Sequence, residues 1–179
     1  MTTFNTRPLS PAPSKCSLEM LIHHYGDVYE HSPWVAEAAW QNGLTEAHDT
    51  PDGLAELMGR MLQHASSEQQ IKVIQAHPDL AGKAALAGEL TQDSTNEQAG
   101  AGLDQCSPEE FARFEALNAA YKEKFGFPFV IAVKGLDRHA ILAAFEKRLS
   151  NDAMTERQTA IEQIIRIARF RLIDRASKQ

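Results

Sequence analysis

Apolar positions recur with the period of an α-helix in the two longest patterned segments of this chain. From Pro108 to Phe125 they return every three or four residues, and Gly126 follows at a position where helices commonly end. From about Asp152 to Ala176 the isoleucines share one face with other apolar residues, while arginines lie elsewhere. Both segments predict amphipathic helices that pack against a core.

Capping patterns predict where further helices begin. Ser66–Gln69 has the pattern of a capping box, and the helix it opens should end at His77 because Pro78 follows. Three other sites place a capping side chain before a proline suited to the first helical position. These pairs are Ser32-Pro33, Thr50-Pro51 and Ser107-Pro108.

Two segments depart from the helical pattern. Residues 127–133 are apolar and strand-like, but Pro128 and the lack of a second such segment leave no pairing partner, so we expect a buried, extended connector. Residues 1–16 contain three prolines among polar neighbours and predict an irregular arm, with order beginning near Ser17. The expected fold is all-α: a single-domain bundle of about eight helices over residues 17–179.

Composition narrows the class of protein. The 179 residues carry a net charge of -6, and the basic residues are spread along the chain, so no nucleic-acid partner is expected. No apolar run is long enough for a membrane span, and residues 1–15 lack the apolar core of a signal peptide, which favours the cytoplasm. Cys16 and Cys106 form no CxxC pair and are interpreted as packing residues.

The common nucleotide-binding, zinc-protease and serine-hydrolase motifs do not occur in the sequence, so any chemistry must come from scattered side chains. His77 is one candidate, because Pro78 biases it toward extended backbone and would hold the imidazole in a defined direction. Histidine is also the side chain best suited to proton transfer near neutral pH. The alternative is that His77 only satisfies carbonyls at the end of its helix.

Two further features have both a structural and a functional interpretation. Ser94–Gln98 contains Ser-x-x-Glu, which is a capping box, but a helix start also offers free N–H groups to an anionic or carbonyl-rich ligand. Arg171 lies on the last predicted helix, where arginines are usually solvated. An inward-facing arginine would instead grip a carboxylate or paired carbonyls.

Taken together, three motifs closely resemble the 2-oxo-4-hydroxy-4-carboxy-5-ureidoimidazoline (OHCU) decarboxylase family. The resemblance extends from Ser17 to about Arg175. The motifs are His77-Pro78-Asp79-Leu80-Ala81-Gly82, then Ser94-x-x-Glu97-Gln98-x-x-Gly-x-Gly102-Leu103, then Asn118-x-x-Tyr121-x-x-Lys124-Phe125-Gly126-Phe127-Pro128-Phe129.

The resemblance implies an all-α carboxy-lyase, commonly a homodimer, that yields (S)-allantoin and CO2 in urate breakdown without a metal or organic cofactor. Its catalytic histidine falls on His77 and its essential carboxylate on Glu97. Its active-site arginine falls on Arg171, although Arg169 stands two residues away. The substrate-binding positions that it implies are Pro78, Ser94, Thr95, Asn96, Gln98, Phe129, Val130, Ile131, Ala132, Val133 and Arg171.

Two other functions remain as alternatives from the sequence. A metal-dependent hydrolase of the same pathway would use His77, Glu97 and other histidines as ligands, but no HxxxH or HxH pair accompanies His77. A non-catalytic helical binding module would keep the pocket without the reaction. Decarboxylase activity on freshly generated substrate separates this last reading from the enzyme.

Overall fold

The α-helix is the main element of this structure, a computed structural model that describes residues 7–178. These residues form nine α-helices and no β-strand, which confirms the all-α prediction. The helices are α1 (Leu18–Tyr25), α2 (Trp34–Asn42), α3 (Pro51–Gln63), α4 (Ser67–Gln75), α5 (Lys83–Leu86), α6 (Gln92–Gly100), α7 (Pro108–Phe125), α8 (Arg138–Leu149) and α9 (Ala153–Lys178). Short 3-10 helices occur at Pro13–Lys15, Gly26–Val28, Glu46–His48 and Leu103–Gln105.

Most of the predicted helix starts are confirmed. Thr50 accepts a hydrogen bond from the amide of Gly53, with Pro51 at the first helical position of α3. Ser66 and Ser107 each form a complete capping box with the residue three positions later. α7 keeps its predicted bounds, and Gly126 follows it with a φ of 79° that suits glycine.

Two predicted helix boundaries are wrong. Ser32 does not cap α2: its hydroxyl donates to the carbonyl of Glu30 at 2.8 Å, and the helix begins at Trp34 with Pro33 as its N-cap residue. α4 ends at Gln75, two residues before His77. Pro78 disfavours helical backbone at the residue before it, so the helix stops earlier and His77 belongs to the following loop.

The N-terminal arm is held in place earlier than predicted. Residues 1–6 lie outside the described residues, but the amide of Leu9 donates to the carbonyl of Asp49 at 2.7 Å. The Ser14 hydroxyl donates to the carboxylate of Asp49, and the Tyr25 hydroxyl donates to the carbonyl of Pro11. The expectation that order begins near Ser17 is therefore wrong, while the boundary between a 1–16 arm and a 17–179 domain stays a prediction.

The chain divides into two compact units. The first extends up to Ala76 and resumes at Ile164, and within it α2 packs against both α1 and α3. Its core is apolar, as the periodicity of the last helix predicts. Buried side chains of this unit include Leu21, Tyr25, Val35, Leu54, Leu57, Met58, Leu62, Ile74, Ile164, Ala168 and Leu172.

The second unit, His77–Gln163, is organised around aromatic rings. Phe129 stacks on Phe145 with ring centroids 3.9 Å apart, and the Tyr121 ring meets both of them edge-on. Phe129 belongs to the connector, residues 127–133, which has no regular secondary structure and is largely buried. The interpretation of this segment as a buried connector is therefore confirmed.

Within residues 7–178, no helix is both long enough and apolar enough to cross a membrane.

The two cysteines both carry free thiols. Cys16 is buried and Cys106 is partly exposed. Burial raises the pKa of each thiol above its ordinary value, which fits the interpretation of both as packing residues.

Candidate active site

The segment His77–Gly82, which we call the histidine loop, lies in the second unit and connects α4 to α5. His77 is buried, with 8% of its surface exposed. Ala81 adopts a φ of 51°, a left-handed conformation that costs a residue with a β-carbon about 1–2 kcal/mol. A β-carbon on Gly82 would lie only 2.8 Å from the β-carbon of Asp79, so this position needs glycine. The loop has a tight, specific conformation that its surroundings must maintain.

Gln98 of α6 binds this loop at two points. Its Oε1 accepts a hydrogen bond from the amide of Ala81 at 3.0 Å, and its Nε2 donates to the carbonyl of Asp79 at 3.2 Å. The amide side chain thus stabilises the strained residue directly. The side-chain amide of Gln98 has two N–H donors, and the bond to Asp79 uses one of them.

α7 holds the same loop from its own side chains. Asn118 donates to the carbonyl of Leu80 at 3.0 Å, and the ammonium of Lys122 pairs with the carboxylate of Asp79 at 2.6 Å. Together with Gln98, these contacts account for residues in all three sequence motifs. The second and third motifs thus each supply a residue, Gln98 and Asn118, that binds the loop beginning at His77.

α6 buries polar side chains on the face where a packing helix would bury apolar ones. Its buried residues are Ser94 and Gln98, which lie four positions apart and therefore on one face. Burying a polar group costs free energy unless it is hydrogen-bonded, and Gln98 meets this condition through its bonds to the histidine loop. Glu97 lies next to this face and is partly buried, while Thr95 and Asn96 are exposed.

The interpretation of Ser94 as a helix cap is wrong. α6 begins three residues earlier than that pattern required, and Thr91 caps it by accepting a hydrogen bond from the amide of Ser94 at 3.2 Å. Thr91 and Ser94 both offer a hydroxyl at a position that suits a cap, and the chain uses the first. The buried hydroxyl of Ser94 therefore has no capping role to explain it.

The connector is held by two side chains that sequence reasoning missed. Arg148 of α8 donates from Nη1 to the carbonyl of Val130 at 2.7 Å, and Gln163 of α9 accepts from the amide of Ala132 at 2.9 Å. The connector residues predicted to bind substrate are buried apart from Ile131, which is partly exposed. They are Phe129, Val130, Ile131, Ala132 and Val133.

Arg171 belongs to the first unit, where the structure distinguishes it from Arg169. Arg171 is 5% exposed, and its Nη2 pairs with the carboxylate of Glu30 at 3.0 Å. Arg169 pairs with Asp52 at a partly exposed position. Of the two arginines, Arg171 is the buried one. Glu30, only 2% exposed, is a further residue that sequence reasoning missed.

We expect Glu30→Gln to destabilise the protein by about 3–5 kcal/mol, because it removes a fully charged partner of the buried Arg171 guanidinium. Asp52→Asn is the matched control, since it removes the partner of Arg169 at a partly exposed site and should cost about 1 kcal/mol or less. Urea unfolding of both variants measures the difference. Equal losses for the two would show that burial adds nothing to the Arg171 pair.

We expect Gln98→Glu to lower kcat/KM by about 10²-fold, because small displacements of reacting groups cost that much. The substituted carboxylate keeps an acceptor for Ala81 but faces the carbonyl of Asp79 with a second oxygen, which disturbs the histidine loop. Gln70→Glu is the control, since it makes the same chemical change at a glutamine that donates to other backbone carbonyls, those of Leu62 and Gln63. Wild-type turnover in Gln98→Glu would contradict a role for the hydrogen bonds between Gln98 and the histidine loop.

The residues that the structure describes contain no group of three or more histidine, cysteine, aspartate or glutamate side chains placed to hold a metal ion. The candidate site consists of the histidine loop and the polar face of α6, both within the second unit. The convergence of His77 and Glu97 on a common substrate stays a prediction, as do the roles of the substrate-binding positions.

The fold and the site define an all-α protein with buried polar groups arranged around a histidine loop. A family model described as OHCU decarboxylase matches residues 14–173, and the chain belongs to this family. The match includes the histidine loop, α6, the connector and Arg171.

Known relatives agree with this assignment. The chain is 40% identical to the 2-oxo-4-hydroxy-4-carboxy-5-ureidoimidazoline decarboxylase of Haloferax volcanii, covering 90% of this chain and 92% of the relative. It is also 40% identical to the enzyme of that name from Halalkalicoccus jeotgali, covering 86% and 84%. The crystal structure of (S)-allantoin synthase matches with a TM-score of 0.71 and 29% identity, over 91% of this chain and 52% of that one.

Proposed function

We propose that this chain decarboxylates 2-oxo-4-hydroxy-4-carboxy-5-ureidoimidazoline to (S)-allantoin and CO2 in urate degradation. Membership of the OHCU decarboxylase family over residues 14–173 supports the reaction, and relatives at 40% identity carry its name. The single structural observation that carries the proposal is the polar face of α6, where Gln98 binds the loop beginning at the buried His77.

The reaction needs few protein groups because the substrate supplies its own electron sink. Loss of CO2 breaks the bond to the carbon that bears the hydroxyl, and the electron pair passes to the adjacent ring imine. A proton must then be delivered to one face of the former imine carbon, which fixes the stereochemistry, while the hydroxyl becomes a carbonyl and its proton passes to the ring nitrogen. The protein contributes orientation, a partly dry site that stabilises the carboxylate less than water does, and this proton.

Protonated His77 is the proposed proton donor. Its position one residue before Pro78, at the start of a clamped loop, gives the imidazole the restricted direction that a stereospecific transfer needs. Glu97 is the proposed orienting carboxylate, acting on His77 or on the substrate hydroxyl. It lies on α6 beside Gln98, the residue that holds the histidine loop.

The remaining binding roles are assigned to the predicted substrate-binding positions. Arg171 is proposed to grip polar groups of the ureide, and its burial beside Glu30 favours it over Arg169. Ser94, Gln98 and main-chain amides of the connector are proposed to bind ring and ureido carbonyls, with Pro78 lining the substrate. Thr95 and Asn96 are proposed to bind through their exposed side chains, because the amide of Thr95 already donates to the carbonyl of Thr91 at 2.9 Å.

Three further proposals rest on the family resemblance and on this chemistry. The reaction uses side chains alone, without a metal or organic cofactor, because the imine accepts the electron pair. The active form is a homodimer, which sedimentation of the purified protein measures. The chain acts in the cytoplasm.

A coupled assay tests the reaction. Urate, urate oxidase and hydroxyisourate hydrolase generate the substrate, and circular dichroism follows the product with and without this protein. The proposal expects rapid formation of optically active (S)-allantoin that scales with protein concentration. Slow, racemic allantoin at the rate of the protein-free control would contradict it.

A further inference from the structure

A buried ion pair lies beside the connector in the second unit. The Nε of Arg148 on α8 contacts Oε1 of Glu156 on α9 at 2.9 Å, and the Glu156 side chain is fully buried. The Tyr121 hydroxyl donates to the same oxygen at 2.6 Å, and Asn151 donates to Oε2 at 3.1 Å. Burial raises the pKa of Tyr121 and the bond to Glu156 raises it further, so its hydroxyl remains a donor.

Arg148 links this ion pair to the connector by two different contacts. Its Nη1 donates to the carbonyl of Val130 at 2.7 Å. Its guanidinium carbon also lies 4.4 Å from the centroid of the Phe129 ring, whose other contacts include stacking on Phe145. One rigid, planar side chain thus fixes both a backbone carbonyl and the neighbouring aromatic ring.

Stability alone is a poor explanation for this arrangement. Taking two charges out of water costs several kcal/mol per ion, at an order-of-magnitude level, and apolar replacements of similar volume are often neutral or stabilising. The Nη2 of Arg148 is also buried without a hydrogen-bond partner among residues 7–178, which is a further cost. What the pair does supply is a defined position for the backbone at Phe129 and Val130.

We propose that Arg148 is a positioning residue for the reaction. Held by Glu156, it fixes the carbonyl of Val130 and the ring of Phe129, and so sets the path of residues 129–133 that meet the substrate. This inference rests on the proposed function, in which the connector binds ring or ureido carbonyls. Gln163 is a second, uncharged clamp on the same segment through the amide of Ala132.

Arg148→Lys and Tyr121→Phe separate positioning from simple support of the core. Lysine keeps a positive charge for Glu156 but lacks the planar fork that also reaches Val130. Phenylalanine at 121 removes a donor to Glu156 and leaves the bond from Arg148 to Val130 unchanged. Urea unfolding measures how much stability each variant loses, so that their activities are compared at a known loss of stability.

Two measurements then decide the proposal. Hydrogen exchange of a peptide spanning 127–134 should be faster in Arg148→Lys than in wild type, and unchanged in Tyr121→Phe. In the coupled assay, Arg148→Lys should raise KM about tenfold or more, with a smaller effect on kcat, because it disturbs binding geometry. Equal exchange in the two variants, or an unchanged KM in Arg148→Lys, would overturn it.

Gln163→Ala keeps the inference testable if Arg148→Lys does not fold. It frees the amide of Ala132 without exposing a charge, and it should raise both the exchange rate of the connector and KM. An unchanged KM in this folded variant would overturn the proposal. If wild type itself makes no (S)-allantoin, the proposed function fails. Hydrogen exchange alone then tests whether Arg148 fixes the connector.

Discussion

His77→Ala is expected to lower kcat by about 10²- to 10⁴-fold, which is the usual contribution of a positioned acid. The reason is that no other group is proposed to deliver the proton that follows loss of CO2. Added imidazole should restore part of the turnover, because the substitution leaves space where the ring was. The coupled assay with increasing imidazole measures both effects.

His139→Ala is the control for this experiment, since its side chain is largely exposed on α8. It should keep wild-type kcat and show no response to imidazole. Thermal unfolding of both variants checks that His77→Ala keeps the cooperative fold. Full activity in a folded His77→Ala protein would remove His77 from the mechanism.

Glu97→Gln is expected to reduce kcat by about 10²-fold or more, because it removes the charge that orients the proton donor or the substrate hydroxyl while keeping the side-chain volume. KM should change less than kcat if the carboxylate acts mainly in the transition state. Steady-state kinetics with freshly generated substrate measure the two constants separately.

Glu115→Gln on the exposed side of α7 is the matched control, since it makes the same chemical change away from the candidate site. It should leave both constants unchanged. A Glu97→Gln variant that raised KM alone would place this carboxylate in ground-state binding and contradict its proposed role.

Local chemistry explains which parts of the fold were predictable. Thr50, Ser66 and Ser107 each cap a helix as expected, because a cap depends on residues only three positions apart. The same rule was wrong for Ser94, because Thr91 offers an equivalent hydroxyl one turn earlier. When two nearby residues both fit the capping pattern, the pattern alone does not show which of them caps the helix.

Long-range partners could not be read from local patterns. Glu30 and Arg171 are 141 residues apart, and only the folded chain brings the two charges together. A signal was nevertheless present, because Arg171 lies seven positions after Ile164 and three after Ala168, on the apolar face of its helix. Arg169 lies four positions after Ile165, so the spacing alone does not separate the two arginines, but Arg169 is the less buried of the two.

The histidine loop also combines a feature that local sequence predicts with one that depends on long-range contacts. Pro78 predicted that the helix would stop near His77, but the left-handed backbone of Ala81 has no signature in the sequence. That conformation is held by the bond from the Ala81 amide to Gln98, a contact that arises only after α6 and the loop have come together. The family motifs indicated which residues matter before the structure gave their physical reason.

A double-mutant cycle of His77→Ala and Glu97→Gln tests most directly whether the imidazole and the carboxylate serve one reaction centre. Residues that act as a unit give strongly non-additive losses, so the double variant should retain about the kcat of the weaker single variant. Losses in kcat that simply multiply, in folded proteins, would show that the two side chains act independently and would contradict the proposed site.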